Sequence, residues 1–484
     1  MTWLLLTLHV LLIAGFGLRI LLRRDMRPDV RLAWLMVIVL LPYVSCLLYY
    51  LFGEVALGRV PGRRRLNVRE FCQTRGSALA SAPGPMSQAR PAIPDQWLPA
   101  FRYASSINGF VPLPGHRAEL MRDGAHARAQ MLADMDAARH EINVLYYIWL
   151  DDSTGTDVAH ALMRAAQRGV TCRAMVDGLG SRALTRSPLW QQMRQAGVHL
   201  AIALPISNLL KVMLTSRIDL RNHRKITLID GRINYCGSQN CADEGFRIKA
   251  RYAPWVDIML RLQGPVVMQM QQAFASDWAQ SDACLAPPTT EAETEAGAAA
   301  DDGFHAVAIA EGPTERARST PQLVASLLAC AQREVVISTP YFVPDSTVLD
   351  ALCAAALRQV QVTLILPARN DSWIVGAVSR SHYWRLLSAG VHIHEFRPGL
   401  LHAKTLCLDG SVSLIGSTNL DLRSFDLNFE NNVLLHDEAI TEAIRHRQQS
   451  YLHESDVVTL AQVHSAPWWK RIWDNLLGAL SPLL

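Results

Sequence analysis

His223-Arg224-Lys225-Ile226-Thr227-Leu228-Ile229-Asp230 is followed, after six residues, by Gly237-Ser238-Gln239-Asn240. The pattern returns as His402-Ala403-Lys404-Thr405-Leu406-Cys407-Leu408-Asp409, followed after six residues by Gly416-Ser417-Thr418-Asn419. Lys225 to Asp230 is rich in β-branched and aliphatic residues and runs into Asp230-Gly231, a hairpin signal that Asp409-Gly410 repeats. Each copy therefore reads as a strand entering a hairpin. Side chains two apart on a strand share a face. His223 then points with Lys225, His402 with Lys404, Ser238 with Asn240, and Ser417 with Asn419. Asp230 and Asp409 lie an odd number of residues from their histidines, face the other way and shape the turns.

Two histidines, two lysines and two asparagines from matching segments suit one phosphate-handling site built from two halves. Phosphodiester chemistry needs a nucleophile, a proton donor for the leaving alkoxide, and positive charge on the phosphoryl oxygens. Histidine can attack or, when protonated, donate near neutral pH. Lysine supplies point charge, and serine and asparagine add neutral donors. This inventory calls for no metal or other cofactor, and Cys236 and Cys241 have no partners at metal-ligand spacing. A single His-x-Lys would read as an ordinary surface strand; the doubled spacing outweighs that reading.

At 484 residues the chain can hold two or more full cores. Residues 1–70 carry ten Arg, no Lys and four acidic residues, a sum of +6; the whole chain is +4, so the remainder is −2. A nucleic-acid enzyme is expected to have a basic catalytic region, so no nucleic-acid partner is expected. The positive charge instead flanks apolar N-terminal segments, as at a lipid headgroup surface. Nine cysteines without a spacing framework suit buried thiols in a reducing compartment rather than a disulfide scaffold.

Apolar stretches at about 3–22 and 32–52 predict a transmembrane helical hairpin within residues 1–58. No basic n-region precedes the first, which argues against a cleaved signal. Arginines 23, 24, 27 and 31 in the turn and 59, 63, 64, 65 and 69 beyond the second helix pull the orientation in opposite senses. The larger distal cluster and the thiols favour a cytoplasmic catalytic region. Residues 59–108 read as basic flank and linker, with an Ala/Ser/Pro/Gly-rich tether at 75–95. A first α/β half spans 109–282, with a strand at 142–149, a helix at 158–168 and a strand at 170–176. Residues 283–303 are a low-complexity linker. A second half spans 304–484, with a strand at 335–342, a helix at 348–358 and a strand at 360–366. Gly197-Val198-His199 is echoed by Gly390-Val391-His392, so the duplication reaches beyond the motif.

Three segments keep two readings each. Arg369-Asn370-Asp371-Ser372 either contacts substrate, from a loop position where α/β sites collect ligands, or caps a helix. Tyr341 and Phe342 line a pocket or fill the core. Residues 467–477, with three Trp beside Lys470-Arg471, lie in a membrane interface or pack on the catalytic domain.

The doubled His-x-Lys-x4-Asp-x6-Gly-Ser-x-Asn pattern is similar to that of the phospholipase D superfamily. The layout over nearly the full chain resembles the bacterial cardiolipin synthase family within it. That likeness rests on the hairpin, the arginine-rich flank, Tyr341-Phe342-Val343-Pro344, Arg369-Asn370-Asp371-Ser372 and a Ser481-Pro482-Leu483-Leu484 tail. The resemblance implies two α/β/α halves related by a pseudo-twofold axis, behind a transmembrane hairpin, multi-pass in a bacterial cytoplasmic (inner) membrane. It implies a catalytic set of His223, Lys225, Asp230, His402, Lys404 and Asp409, with Ser238, Asn240, Ser417 and Asn419 binding phosphate or supporting it. An acidic residue downstream of each motif would orient that motif's histidine; the candidates are Asp257 and Glu430, whose other reading is an ordinary buried carboxylate. The implied reaction transfers a phosphatidyl group from one phosphatidylglycerol to another, giving cardiolipin and glycerol without a cofactor. It would pass through a phosphohistidine on His223 with His402 as the acid, although the symmetry of the motifs leaves that assignment open. The partners implied are phosphatidylglycerol, other phospholipids and the membrane; oligomeric state is not indicated. The rivals are a hydrolase of the same fold, a transferase to another alcohol, and a membrane scaffold, against which two intact His-Lys sets argue.

Overall fold

A computed structural model describes residues 2–24, 26–53, 67–74, 93–206, 219–281, 285–288, 303–316 and 318–481. Most of the expected basic flank, the tether, nearly all of the low-complexity linker and the last three residues of the tail lie outside the described residues. Half one contributes β1 (Leu113–Leu120), β2 (Glu141–Tyr146), β3 (Thr171–Asp177), β4 (His199–Ala203), β5 (Arg221–Asn222), β6 (Lys225–Ile229), β7 (Ile233–Gly237), β8 (Trp255–Val256) and β9 (Met259–Gln263). Half two contributes β10 (Phe304–Glu311), β11 (Glu334–Ser338), β12 (Phe342–Val343), β13 (Gln361–Pro367), β14 (His392–Phe396) and β15 (Leu400–Leu401). It continues with β16 (Thr405–Leu408), β17 (Val412–Gly416), β18 (Leu420–Asp421), β19 (Asn428–His436) and β20 (Ser455–Val458).

One sheet runs β4-β3-β2-β6-β7-β9-β1-β10-β19-β17-β16-β11-β13-β14-β20. Its order mirrors itself about the β1–β10 seam. Parallel β2-β3-β4 is answered by parallel β11-β13-β14, and the β6-β7 hairpin by β16-β17. Alternation along the strands builds a layer on each face. Ile142, Val144 and Tyr146 of β2 pack with the helices Gly124–Ala137, Ser153–Gln167 and Pro188–Gln195, whereas Leu145 joins the opposite face. That opposite layer is common to both halves, since Ile226 and Phe274 share one core with Val307 and Leu408. Each such buried side chain contributes about 1.5–3 kcal/mol, so the shared layer ties the halves together energetically.

Some boundaries differ from expectation. The strand expected at 335–342 stops at Ser338, because Pro340 has no N–H to give a ladder; Phe342 and Val343 pair instead with β18. Phe342 is fully buried in the core. The expected linker carries the helix Leu98–Asn108, which buries Phe101, Ala104 and Ile107. Asn108 holds that helix on β10, donating to Ala310 O at 2.7 Å and accepting from Ala310 N at 2.8 Å.

At the N-terminus Thr2–Leu22 is one helix, but the second apolar run is two, Pro28–Leu40 and Pro42–Phe52. They break at Leu41, before a proline that cannot continue the hydrogen-bond ladder. Among the described residues no helix is long and apolar enough to cross a membrane. The three helices pack through Ile20, Trp34, Ile38, Cys46 and Tyr49 and leave Leu18, Leu22, Val39, Leu40 and Leu47 exposed. The eight described cysteines are all free thiols.

Candidate active site

Both motif hairpins turn on Asp-Gly pairs with positive φ, 51° and 61° at Asp230-Gly231 and 49° and 68° at Asp409-Gly410. This is the backbone twist that tight hairpins require. The Asp230 carboxylate accepts from the backbone N–H of Arg139, His140 and Glu141 at 2.9, 2.7 and 3.0 Å. Asp409 accepts from Gln332, Arg333 and Glu334 at 2.9, 2.8 and 3.0 Å, and from Gln96 Nε2 at 2.8 Å. Asp230 and Asp409, carried over as catalytic, make these contacts at the turns, where each pins its hairpin to the helix-to-strand connection ahead of β2 or β11. Seven residues of extended chain, about 20 Å, separate each from its histidine.

The histidines sit where the halves cross. β5 pairs in parallel with the start of β19, and β15 with β8. His223 N–H then donates to Phe429 O, and His402 N–H to Val256 O, both at 2.8 Å. Each imidazole consequently lies beside the next residue of the other half. His223 Nδ1 is 2.8 and 2.9 Å from the two Glu430 oxygens, and His402 Nδ1 is 2.6 Å from Asp257 Oδ1. The expectation that each acid orients the histidine of its own motif is corrected: the pairing is exchanged. A carboxylate at Nδ1 leaves the Nε2 lone pair free for chemistry.

The Gly-Ser dipeptides explain how the carboxylates are held. Ser238 Oγ donates to Asp257 Oδ1 at 2.6 Å, and Ser417 Oγ to Glu430 Oε2 at 2.5 Å. A Cβ on Gly237 would come 2.1 Å from Ile258 O, and one on Gly416 2.2 Å from Asn431 O. Only glycine lets these strands approach so closely. Asn240 Oδ1 accepts from Ile148 N at 3.3 Å, and Asn419 Nδ2 donates to Ser424 Oγ at 3.3 Å. The Asn419 Oδ1 is buried with no partner among the described residues.

Lys225 Nζ donates to His223 O at 2.8 Å, and Lys404 Nζ to His402 O at 2.7 Å. Both lysines are buried. Burial lowers Lys225 to about 8, with Glu430 and Asp257 opposing, and Lys404 to about 7, with Asp257 opposing and Lys225 adding to the fall. Burial also pushes His223 well below its ordinary value, aided by Lys225 and Lys404. His402 drops to about 4 through burial and Lys404, against the pull of Asp257. The carboxylates diverge. Burial lifts Glu430 to about 7 against Lys225 and its hydrogen bonds, whereas at Asp257 burial is outweighed by His402 and Lys404, which hold it at about 2. The site thus favours neutral imidazoles beside lysines lowered towards neutrality.

Several contributors were not anticipated. Tyr147 lies 4.9 Å from the His223 ring and Trp255 4.7 Å from the His402 ring, centroid to centroid. Ser424 and Asn428 donate to Glu430 Oε1 at 3.0 and 3.2 Å, and Asn431 Oδ1 accepts from Lys225 N at 2.8 Å. Arg224, inside the first motif, pairs with Asp277 at 2.7 Å and donates to Glu430 O at 3.1 Å. Tyr147 and Trp255 stand in apolar runs that signal strands, and nothing local to Ser424 marks it. In the 369–372 loop Ser372 caps the helix Trp373–Ser381, as one expectation had it, and Asp371 forms an ion pair with Lys249 of half one.

Mirrored α/β halves that share one sheet and exchange carboxylates between two His-Lys sets define a phospholipase D-type fold. A crystal structure of phosphatidylserine synthase from Haemophilus influenzae Rd KW20 matches it at TM-score 0.60 and 15% identity, over 80% of this chain and 100% of that one. A family profile described as "Cardiolipin synthase, PLD-like domain" matches residues 131–278 and 324–451, and one described as "Phospholipase_D-nuclease N-terminal" matches residues 10–54. Cardiolipin synthase A of Serratia proteamaculans (strain 568) is 36% identical over 100% of this chain and 98% of its own. That of Cronobacter sakazakii (strain ATCC BAA-894) is 36% identical over the same shares. The chain belongs to the cardiolipin synthase family of the phospholipase D superfamily.

Proposed function

We propose that this protein is a phosphatidyltransferase that makes cardiolipin from two molecules of phosphatidylglycerol. The reading is carried by the pair of buried histidines, each tied at Nδ1 by a carboxylate of the other half and flanked by a lysine. Whole-chain similarity to relatives named cardiolipin synthase A supports the choice of substrate.

His223 Nε2 attacks the phosphorus of the first phosphatidylglycerol. A P–N bond forms, the P–O bond to glycerol breaks, and protonated His402 gives its proton to the departing oxygen. A hydroxyl of the second phosphatidylglycerol then returns a proton to His402 and attacks phosphorus, the P–N bond breaks, and cardiolipin leaves. One phosphodiester replaces another, so no nucleotide is needed. Burial beside Lys225 and Lys404 favours the neutral, attacking form of His223. The phosphodiester's negative charge raises His402 toward the range where it can carry a proton. Lys225 and Lys404 neutralise the phosphoryl oxygens, and Asn240 and Asn419 border them.

Residues 109–282 and 304–484 act as the two catalytic halves. The helix Thr2–Leu22 and the kinked pair Pro28–Leu40 and Pro42–Phe52 form the two legs of a membrane hairpin in a bacterial cytoplasmic membrane, with the catalytic region on the cytoplasmic side. The outward-facing leucines and valines of those helices support bilayer contact.

The test supplies phosphatidylglycerol as the sole lipid to the detergent-purified protein, without nucleotide or added metal, and identifies products by mass spectrometry. Cardiolipin and free glycerol in equal amounts are expected. Phosphatidate in their place would make the protein a hydrolase, and product from both His223→Ala and His402→Ala variants would overturn the two-histidine mechanism.

A further inference from the structure

The helix Trp468–Leu480 is amphipathic, yet its apolar face is turned away from the protein. Trp468, Trp469 and Ile472 are 68%, 59% and 59% exposed, and Trp473 and Leu476 continue the same stripe at helical spacing. The helix is held to the fold mainly by its other side. Asp474 is buried against Arg380 of the helix Trp373–Ser381, at 3.0 and 3.1 Å. Gly478 lies so close to Ser381 that a Cβ there would approach its Oγ to 2.7 Å. Leu477 alone fills a small apolar contact with Val343, Ala377 and Val378. An ion pair and a glycine fix the orientation, so exposure of the tryptophans is specified rather than left over from weak packing.

The position of this face bears on the reaction. Trp473 stacks on Trp373 at 5.9 Å, and Trp373 stands two residues after Asp371, which pairs with Lys249 across the halves. Asp371 interacts with Tyr341, and Tyr147 lies against the ring of His223. The aromatic stripe is therefore anchored, through Trp373, next to the loop whose Asp371 pairs with half one. Indole rings favour the headgroup level of a bilayer, and Lys470 and Arg471 on the same turn complement anionic phospholipid.

We propose that Trp468, Trp469, Ile472, Trp473 and Leu476 form a membrane-docking surface that seats the mouth of the active site on an anionic bilayer, independently of the N-terminal helices. This inference rests on the lipid-substrate reading above, and it names the surface through which that substrate arrives.

The test compares the full-length wild type with the triple variant Trp468→Ser/Trp469→Ser/Ile472→Ser, which spares Asp474, Leu477 and Gly478. In vesicles containing phosphatidylglycerol, the apparent KM of the variant should rise tenfold or more. Dihexanoyl phosphatidylglycerol below its aggregation concentration should be turned over within twofold of wild type. Equal loss on both substrates would make the helix a structural brace, and no loss on either would leave the surface unused; each overturns the proposal. A second measurement is independent of turnover. The fluorescence that wild type has and the variant lacks should be quenched by brominated phosphatidylglycerol vesicles. Unquenched emission overturns the proposal, and so does a change of oligomeric state in detergent without quenching, which would assign the face to a second copy. Wild-type protein that turns over neither lipid yet shows the quenching would sink the functional reading and leave the docking surface standing.

Discussion

Glu430 and Asp257 stand in equivalent places yet titrate in opposite directions, and the difference has consequences for pH. Glu430, lifted to about 7 by burial, must be ionised to hold the Nδ1–H tautomer of His223. When protonated it donates to Nδ1 instead, and the Nε2 lone pair is lost. Activity through this group is therefore lost as pH falls below about 7. Lys404 and Lys225, lowered to about 7 and about 8, are charged below those values and neutral above them, so capture of an anionic phosphodiester weakens as pH rises. A bell-shaped kcat/KM profile centred near neutrality is expected; a profile still rising at pH 9 would remove the lysines from the role given them. Glu430→Gln should lower kcat by a factor on the order of 10² to 10⁴, with little change in KM, and should abolish the acid limb. In ¹⁵N spectra of the variant the tautomer balance of His223 should shift while that of His402 is preserved; the reverse would contradict the exchanged pairing.

The strands and turns around the motif do work that its chemistry conceals. The Asp409 carboxylate ties its hairpin to the chain ahead of β11 through three backbone N–H groups. Asp409→Ala leaves those donors unsatisfied and an alanine in a strained region, a cost of about 2–4 kcal/mol. The expected outcome is a lower Tm with kcat of the folded fraction unchanged. A hundredfold fall in kcat at constant Tm would instead return Asp409 to the chemistry. The glycines of the Gly-Ser pairs belong to the same level: they let β7 approach Ile258 and β17 approach Asn431, and so bring each serine onto its carboxylate.

Across the whole molecule the halves are continuous. They share one sheet and one apolar layer, and each reactive histidine depends on the other half for its carboxylate. Neither half buries that layer alone, so the catalytic region should unfold in one cooperative transition, with calorimetry and near-ultraviolet circular dichroism coincident. Two resolved transitions would show that each half carries a sufficient core of its own.

The motif repeat, the hairpin turns, the strand character of β6 and the outward turn of Asp230 and Asp409 were legible because each depends on period-2 geometry or local turn chemistry. The capping by Ser372 was legible for the same reason. The break at Pro42 and the end of β11 before Pro340 follow from a missing N–H and were within reach of the same reading. The exchange of Glu430 and Asp257 was not, because it arises from two short parallel pairings, β5 with β19 and β8 with β15, between segments roughly 150 to 200 residues apart along the chain. Nor was the role of Leu98–Asn108, whose polar and small residues look like a linker until β10 gives Asn108 a partner. Local composition can specify which residues form a strand, a turn or a reactive pair. Which carboxylate faces which imidazole, and how far burial lowers a lysine, depends on what long-range packing brings alongside and how much water it removes.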